Sequence, residues 1–193
     1  MNRDMTSTQT LSQAVWNGSG LMRNVVLVLA GTALIALAAQ VTVRLLPVPM
    51  TLQTLAILVV GFGYGARLGT ATLIAYLAEG AMGLPVFAGG GASLAYMTGP
   101  TGGFLLGFVG MAAIAGYAAD RGVTRSLIAT VAVALLASAF IYIPGLAWPA
   151  IATGTEWSSL WSGWMAPFLL GDALKAAVAA LVVTGAWAAL RRS

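Results

Sequence analysis

The sequence predicts an all-α integral membrane protein with six transmembrane helices and both termini in the cytoplasm. Three observations carry that prediction. Of 193 residues, 60% are hydrophobic and only 7% charged, and the mean hydropathy is +0.93; soluble proteins average about 25% charged. Apolar runs punctuated by glycine and proline leave room for about six spans at ~20 residues per crossing. Finally, placing both termini inside puts Arg3, Arg23, Arg67, Arg121, Arg125, Arg191 and Arg192 in the cytoplasm and leaves only Arg44 outside, the asymmetry that orients membrane helices.

Composition also excludes functions. Cysteine and histidine are both absent, which removes disulfides, thiolate nucleophiles, zinc sites and the usual general base. No catalytic residue, metal or cofactor is expected. The formal charge of +4 is too small and too scattered for a nucleic-acid partner; the partner that composition implies is the lipid bilayer.

Residues 1–23 read as a polar tail and 24–193 as one six-helix membrane domain. The tail is rich in Ser, Thr, Gln and Asn, and the apolar run after it starts too late and is too long for a signal peptide. Asn17-Gly18-Ser19 matches the glycosylation pattern, but so short a match carries little weight.

The first helix is expected over 24–45, ending before Pro47-Val48-Pro49 because a residue preceding proline disfavours the helical region. A second starts near Pro49, which suits a first turn, and runs to about 63; it is short for a ~30 Å hydrocarbon core and needs shielding by protein. Gly61-Phe62-Gly63-Tyr64-Gly65-Ala66 fits a relaxed dinucleotide fingerprint, but with no strand before it the run reads as a glycine turn. The third helix follows over 68–79, then a long irregular segment over 80–98 containing Gly89-Gly90-Gly91. The fourth runs over 100–119, with Gly102, Gly103, Gly107 and Gly110 inviting a close neighbour. The fifth covers 126–143. A second long connection, 144–163, holds Trp148, Trp157 and Trp161, residues suited to a membrane interface, and the sixth helix spans 164–190.

One pair of residues breaks the apolar pattern. Asp172 and Lys175 stand three apart in the sixth helix, a spacing that projects both side chains from one face. A charge at mid-bilayer costs at least ~2.5–3.5 kcal/mol, so intramembrane charges usually face the bundle interior and mark a substrate or ion site. The alternative is a self-neutralising pair that only orients the last helix.

Four runs carry a resemblance: Val48-Pro49-Met50-Thr51-Leu52-Gln53-Thr54, Gly83-Leu84-Pro85-Val86-Phe87-Ala88-Gly89-Gly90, Gly99-Pro100-Thr101-Gly102-Gly103-Phe104-Leu105-Leu106-Gly107-Phe108, and Asp172-Ala173-Leu174-Lys175. In that order and spacing they resemble the biotin-specific substrate-capture subunit of energy-coupling factor vitamin transporters. The resemblance implies a multi-pass protein of the bacterial cytoplasmic membrane that captures biotin at its outer face. It also implies a transmembrane coupling subunit and two cytoplasmic ATPase subunits as partners. Proteins of that class carry an Ala-xxx-Ala docking face on the first helix; here Ala33 is followed by Leu37 and Ala36 by Gln40, so Gly31, Thr32 and Ala36 are the candidate docking residues.

The chemistry suits such a ligand. A ureido ring presents two N–H donors beside a carbonyl acceptor, and a carboxylate next to an ammonium presents the complement. Asp172 and Lys175 fit that role, with Gln53 a further donor on a polar stripe with Thr54. Phe87, Tyr96 and Tyr76 are candidates to line an apolar cavity for the fused rings. The amides of Gly89, Gly90, Gly91 and Ser93 could receive the ligand's carboxylate or form a flexible lid. Lys175 could instead pair with that carboxylate, so the ligand's orientation stays open. Two other function classes are weaker: an enzyme would have only Asp172, Glu79 and Lys175 to work with, and a solitary or proton-coupled carrier of a small vitamin-like solute would be expected to show a second, repeated half. No Gly-xxxx-Gly-Lys-Ser/Thr loop exists to bind ATP.

Overall fold

The computed structural model describes residues 9–16, 20–43, 45 and 47–192. Arg3, Arg44, the Asn17-Gly18-Ser19 triplet and much of the polar tail lie outside the described residues. A short helix α1 (Leu11–Val15) precedes α2 (Leu21–Gln40), and a two-stranded antiparallel ribbon of β1 (Thr42–Val43) and β2 (Met50–Thr51) follows. Then come α3 (Gln53–Tyr64), α4 (Ala66–Ala81), a 3-10 turn over Ala88–Gly90, α5 (Leu94–Met97), α6 (Gly102–Asp120), α7 (Leu127–Phe140) and α8 (Tyr142–Thr153). The single turn α9 (Trp157–Ser159) runs into a π-helical turn over Leu160–Met165, which leads to α10 (Ala166–Leu190).

Among the described residues, four segments are long and apolar enough to cross a membrane: Leu21–Gln40, Gly102–Asp120, Leu127–Thr153 and Trp157–Leu190. The helices α3 and α4, at 12 and 16 residues, fall short of the ~20 residues of a full crossing. Their position compensates. On α3, Ala56, Ile57, Leu58, Val60 and Phe62 are buried, packed among α6, α4, α10 and α2.

Small residues set the spacing of that centre. A Cβ on Gly61 would meet the Ala115 Cβ at 2.9 Å and the Ala112 carbonyl at 3.0 Å, and one on Gly69 would meet the Gly61 Cα at 3.2 Å, so α3, α4 and α6 approach backbone to backbone. The turn between α3 and α4 needs Gly65, whose φ is +85°, a conformation natural only to glycine. Asp120 at the end of α6 then accepts a hydrogen bond from the Ala66 amide at 3.0 Å, capping α4 from another helix.

Several expected boundaries move. The first helix stops at Gln40 rather than 45 because Val41, Thr42 and Val43 take the extended form that β-branched residues favour, and the ribbon pairs Thr42 with Thr51 and Val43 with Met50. The second consequently starts at Gln53, not Pro49, with its amide bonded to the Thr51 hydroxyl at 3.1 Å. Of the glycine run 61–65, Gly61 and Gly63 are helical and Gly65 alone makes the turn. The connection expected over 144–163 is largely helical. Pro144 falls in the first turn of α8, where its missing N–H breaks no bond, and Pro149 is accommodated inside that helix.

Two of the three candidate docking residues lie inside the bundle. Gly31 and Thr32 are buried, and a Cβ on Gly31 would meet the Thr72 Cγ2 at 2.7 Å. Gly31 thus packs against α4, the Thr32 hydroxyl donates to the Leu29 carbonyl of its own helix at 3.1 Å, and Ala36 is half-buried.

Candidate functional site

The four sequence runs that stand far apart in the chain converge on one cavity. The ribbon and the start of α3 contribute Val48, Pro49, Met50, Thr51, Gln53 and Thr54; the segment between α4 and α6 contributes Ala88, Tyr96 and Thr101; α6 contributes Phe104, Leu105 and Phe108. Ile141 and Tyr142 close one side, and Phe168, Asp172 and Lys175 of α10 the other. The walls are mainly apolar and aromatic, the polar groups few and convergent, as in small-molecule sites generally.

At the polar end Lys175 Nζ lies 2.7 Å from Asp172 Oδ1. Both residues are buried, at 5% and 9% exposure, and neither relies on the other alone. Tyr142 donates to Asp172 Oδ2 at 2.6 Å, Thr54 to Oδ1 at 3.4 Å, and Lys175 donates to the Thr51 carbonyl at 3.2 Å. A buried ion pair repays its desolvation only when such additional hydrogen bonds are in place. One ammonium N–H and the free lone pairs of the carboxylate remain for a third party in the cavity.

A second chain of bonds supports the roof. Thr51 donates to Gln53 Oε1 at 3.0 Å, Gln53 Nε2 donates to the Tyr76 hydroxyl at 2.8 Å, and that hydroxyl donates to the Val86 carbonyl at 2.8 Å. Tyr76 thus stands behind Gln53 rather than on the cavity wall. Phe87 does not line the cavity either. It is fully buried, stacked on Tyr96 at 5.2 Å and edge-on to Tyr76 at 5.5 Å, filling the space that Gly80 leaves without a Cβ.

The glycine amides also differ from expectation. Gly90 N–H donates to Gln40 Oε1, Gly91 N–H to the Ala88 carbonyl and Ser93 N–H to the Gly80 carbonyl. These donors are spent inside the loop, on α2 and on α4, and Gly89, Gly90, Gly91 and Ser93 lie off the cavity wall. Ser93, at φ +90°, caps α5 by accepting from the Tyr96 amide.

Residues 5–192 match the BioY family. The chain belongs to that family. A probable biotin transporter BioY of Pyrococcus horikoshii is 34% identical over 160 residues, covering 83% of this chain and 93% of its own length. A biotin transporter BioY of Rhizobium etli is 35% identical over 155 residues, 77% of this chain and 82% of that one. Among solved structures, the S-component for biotin from an ECF-type ABC transporter superposes with a TM-score of 0.75 at 25% identity, over 91% of this chain and 96% of that one. As a member of the BioY family, whose named relatives are transporters rather than enzymes, the chain is a multi-pass protein of the cell membrane.

Sequence reasoning had placed Asp172, Lys175, Gln53 and Tyr96 in one site, and all four line this cavity. Thr54 enters there only as the neighbour of Gln53 on a polar stripe, and Tyr142 and Thr51 are not assigned to the site. Tyr142 was hidden by Ile143-Pro144 beside it, which read as the end of a helix, and it lies 30 residues from Asp172, with no local spacing to betray the contact. Thr51 and Thr54 were within one of the four runs; their identity as hydrogen-bonding residues amid apolar neighbours was the available signal.

Proposed function

We propose that this chain captures biotin in the cavity closed by Asp172 and Lys175, and hands it inward as the substrate-specific subunit of an ATP-driven importer of the energy-coupling factor type. The observation that carries the reading is the buried, hydrogen-bonded Asp172–Lys175 pair at the end of an otherwise apolar, aromatic cavity. A ureido group answers it, giving N–H donors to the carboxylate and taking an N–H from the ammonium. Phe104, Phe108 and Phe168 offer walls to the fused rings, and Tyr96 and Gln53 line the side under the roof. The names of the relatives from Pyrococcus horikoshii and Rhizobium etli support biotin as the ligand.

In this reading α3 and α4 complete six crossings, shielded by the longer helices. The end of the bundle opposite the cavity carries Arg23, Arg67, Arg121, Arg125, Arg191 and Arg192 and faces the cytoplasm by the positive-inside rule, so the cavity opens outward. No phosphate-binding loop occurs in the sequence; ATP is hydrolysed by two cytoplasmic ATPase subunits acting through a transmembrane coupling subunit.

The test has two stages. Purified protein should bind labelled biotin saturably, and proteoliposomes should accumulate biotin only when the coupling and ATPase subunits are added. Absence of binding would overturn the ligand, and equal uptake without partners would replace the ATP-driven reading with that of a solitary carrier.

A further inference from the structure

The roof of the cavity is held by three consecutive carbonyls, and each is gripped by a different element. Val86 O accepts from Tyr76 of α4, Phe87 O from Gln40 of α2 at 3.1 Å, and Ala88 O from Tyr96 of the roof segment itself at 3.4 Å. Gln40 makes a second bond in the opposite sense, accepting from the Gly90 amide at 3.1 Å. A carbonyl can only accept and an amide N–H can only donate, so these two partners fix the orientation of the Gln40 carboxamide. Both bonds cross to a segment 47 and 50 residues away.

The position of Gln40 gives the clasp its meaning. It is the last residue of α2, on the exposed side of that helix, and the roof residues it holds flank Ala88, which lines the cavity. Gln40 also stands where the Ala-xxx-Ala pattern beginning at Ala36 would have placed a second alanine. An alanine at that position would have no amide to reach the roof.

We infer that Gln40 is a positioning residue that clasps the roof to the end of α2 and thereby sets how slowly the ligand leaves. It rests on the reading of this cavity as the biotin site. The clasp makes the roof and α2 move together: a displacement of α2 away from the roof breaks both bonds at once and leaves the turn over Ala88–Gly90 held only by its own bonds, from the Gly90 amide to the Phe87 carbonyl and from the Gly91 amide to the Ala88 carbonyl, while the charge pair below stays intact. Glycines at φ +65° and +75°, Gly89 and Gly90, supply a backbone that opens with little resistance once released. Gln40 touches no cavity atom, so its loss acts on the roof and through it on escape of the ligand.

The experiment compares the intact protein with Gln40→Leu and Gln40→Asn, the second being polar but one methylene too short. In detergent or nanodiscs, biotin dissociation should quicken roughly tenfold in both, the effect of losing one partly buried and one exposed hydrogen bond, with the association rate unchanged or faster. Amide exchange at Gly90 should quicken in parallel. Gln40→Glu, which keeps the acceptor for Gly90 but loses the donor for Phe87, should fall between. Because Gln40 is exposed, melting temperature should barely move; should Gln40→Leu not fold, Gln40→Asn decides. Wild-type dissociation and Gly90 exchange in the folded variants would overturn the clasp while leaving biotin binding standing, whereas failure of the parent protein to bind biotin would remove the ligand reading itself.

Discussion

The two ends of the bundle are built on different chemistry. At the cavity end, polar side chains reach between elements: Tyr142 and Thr54 to Asp172, Lys175 to Thr51, Gln53 to Tyr76, Gln40 to the roof. Through the middle and toward the opposite end, contact is made by small residues. Gly61 and Gly69 meet at van der Waals distance beside Ala112 and Ala115, and Ala176, Ala179 and Ala180 of α10 are fully buried, as are Ala134 and Ala137 of the facing α7. Close packing of this kind is the usual source of helix association in lipid, where burying apolar surface gains nothing against lipid tails. The difference teaches that binding and stability are carried by separate residues, so substitutions in the two regions should separate in their readouts.

The largest separation is expected from Asp172→Asn. Removing one partner of a buried, hydrogen-bonded charge typically costs ~2–5 kcal/mol of binding, so equilibrium titration should show biotin affinity collapsing. Lys175 keeps the Thr51 carbonyl, and the variant should still purify as a folded monodisperse protein. Tyr142→Phe comes next. It deletes the hydrogen bond that orients Asp172 Oδ2; bonds to charged groups contribute about 1.5–3 kcal/mol, and the same titration should register most of that loss.

Gly61→Val tests the other region. The new side chain must enter space already within 3.0 Å of the Ala112 carbonyl, and overpacking costs about 1–3 kcal/mol. Thermal melting in detergent should fall, while the fraction that folds should bind biotin with unchanged affinity. A variant with normal melting and weakened binding would erase the division between the two regions. Gln53→Leu deletes two neutral hydrogen bonds, from the Thr51 hydroxyl and to the Tyr76 hydroxyl, each worth about 0.5–1.5 kcal/mol; its loss of affinity should stay below that of Tyr142→Phe, because the charge pair is untouched and Tyr76 still holds Val86.

Much of this division was legible in the sequence, for identifiable reasons. Asp172 and Lys175 were visible because charge is scarce in an apolar chain and because three residues of helix suffice to align them. The helices were visible from hydropathy, which reports length but not packing direction. The small residues Gly31 and Thr32 therefore show in the sequence as close-packing material, but not that Gly31 is packed against Thr72 of α4. Phe87 reads as a cavity-lining aromatic and the glycine run as an anion site or a lid, because an isolated sequence does not show which way a ring packs or where each loop amide finds its partner. Proline misled most. Pro144 reads as the start of a connection, yet it and Pro149 both sit in α8, and that concealed Tyr142, which lies 2.6 Å from Asp172 against 2.7 Å for Lys175.

The account rests on the charge pair being a ligand site rather than a brace, and the double variant Asp172→Asn/Lys175→Met separates the two. Replacing both members of a buried pair by neutral residues is often harmless or stabilising, so a brace and a site make opposite predictions for binding. Measured together, melting temperature should equal or exceed that of the parent protein while biotin binding is lost. A double variant that binds biotin as tightly as the parent would contradict the central claim.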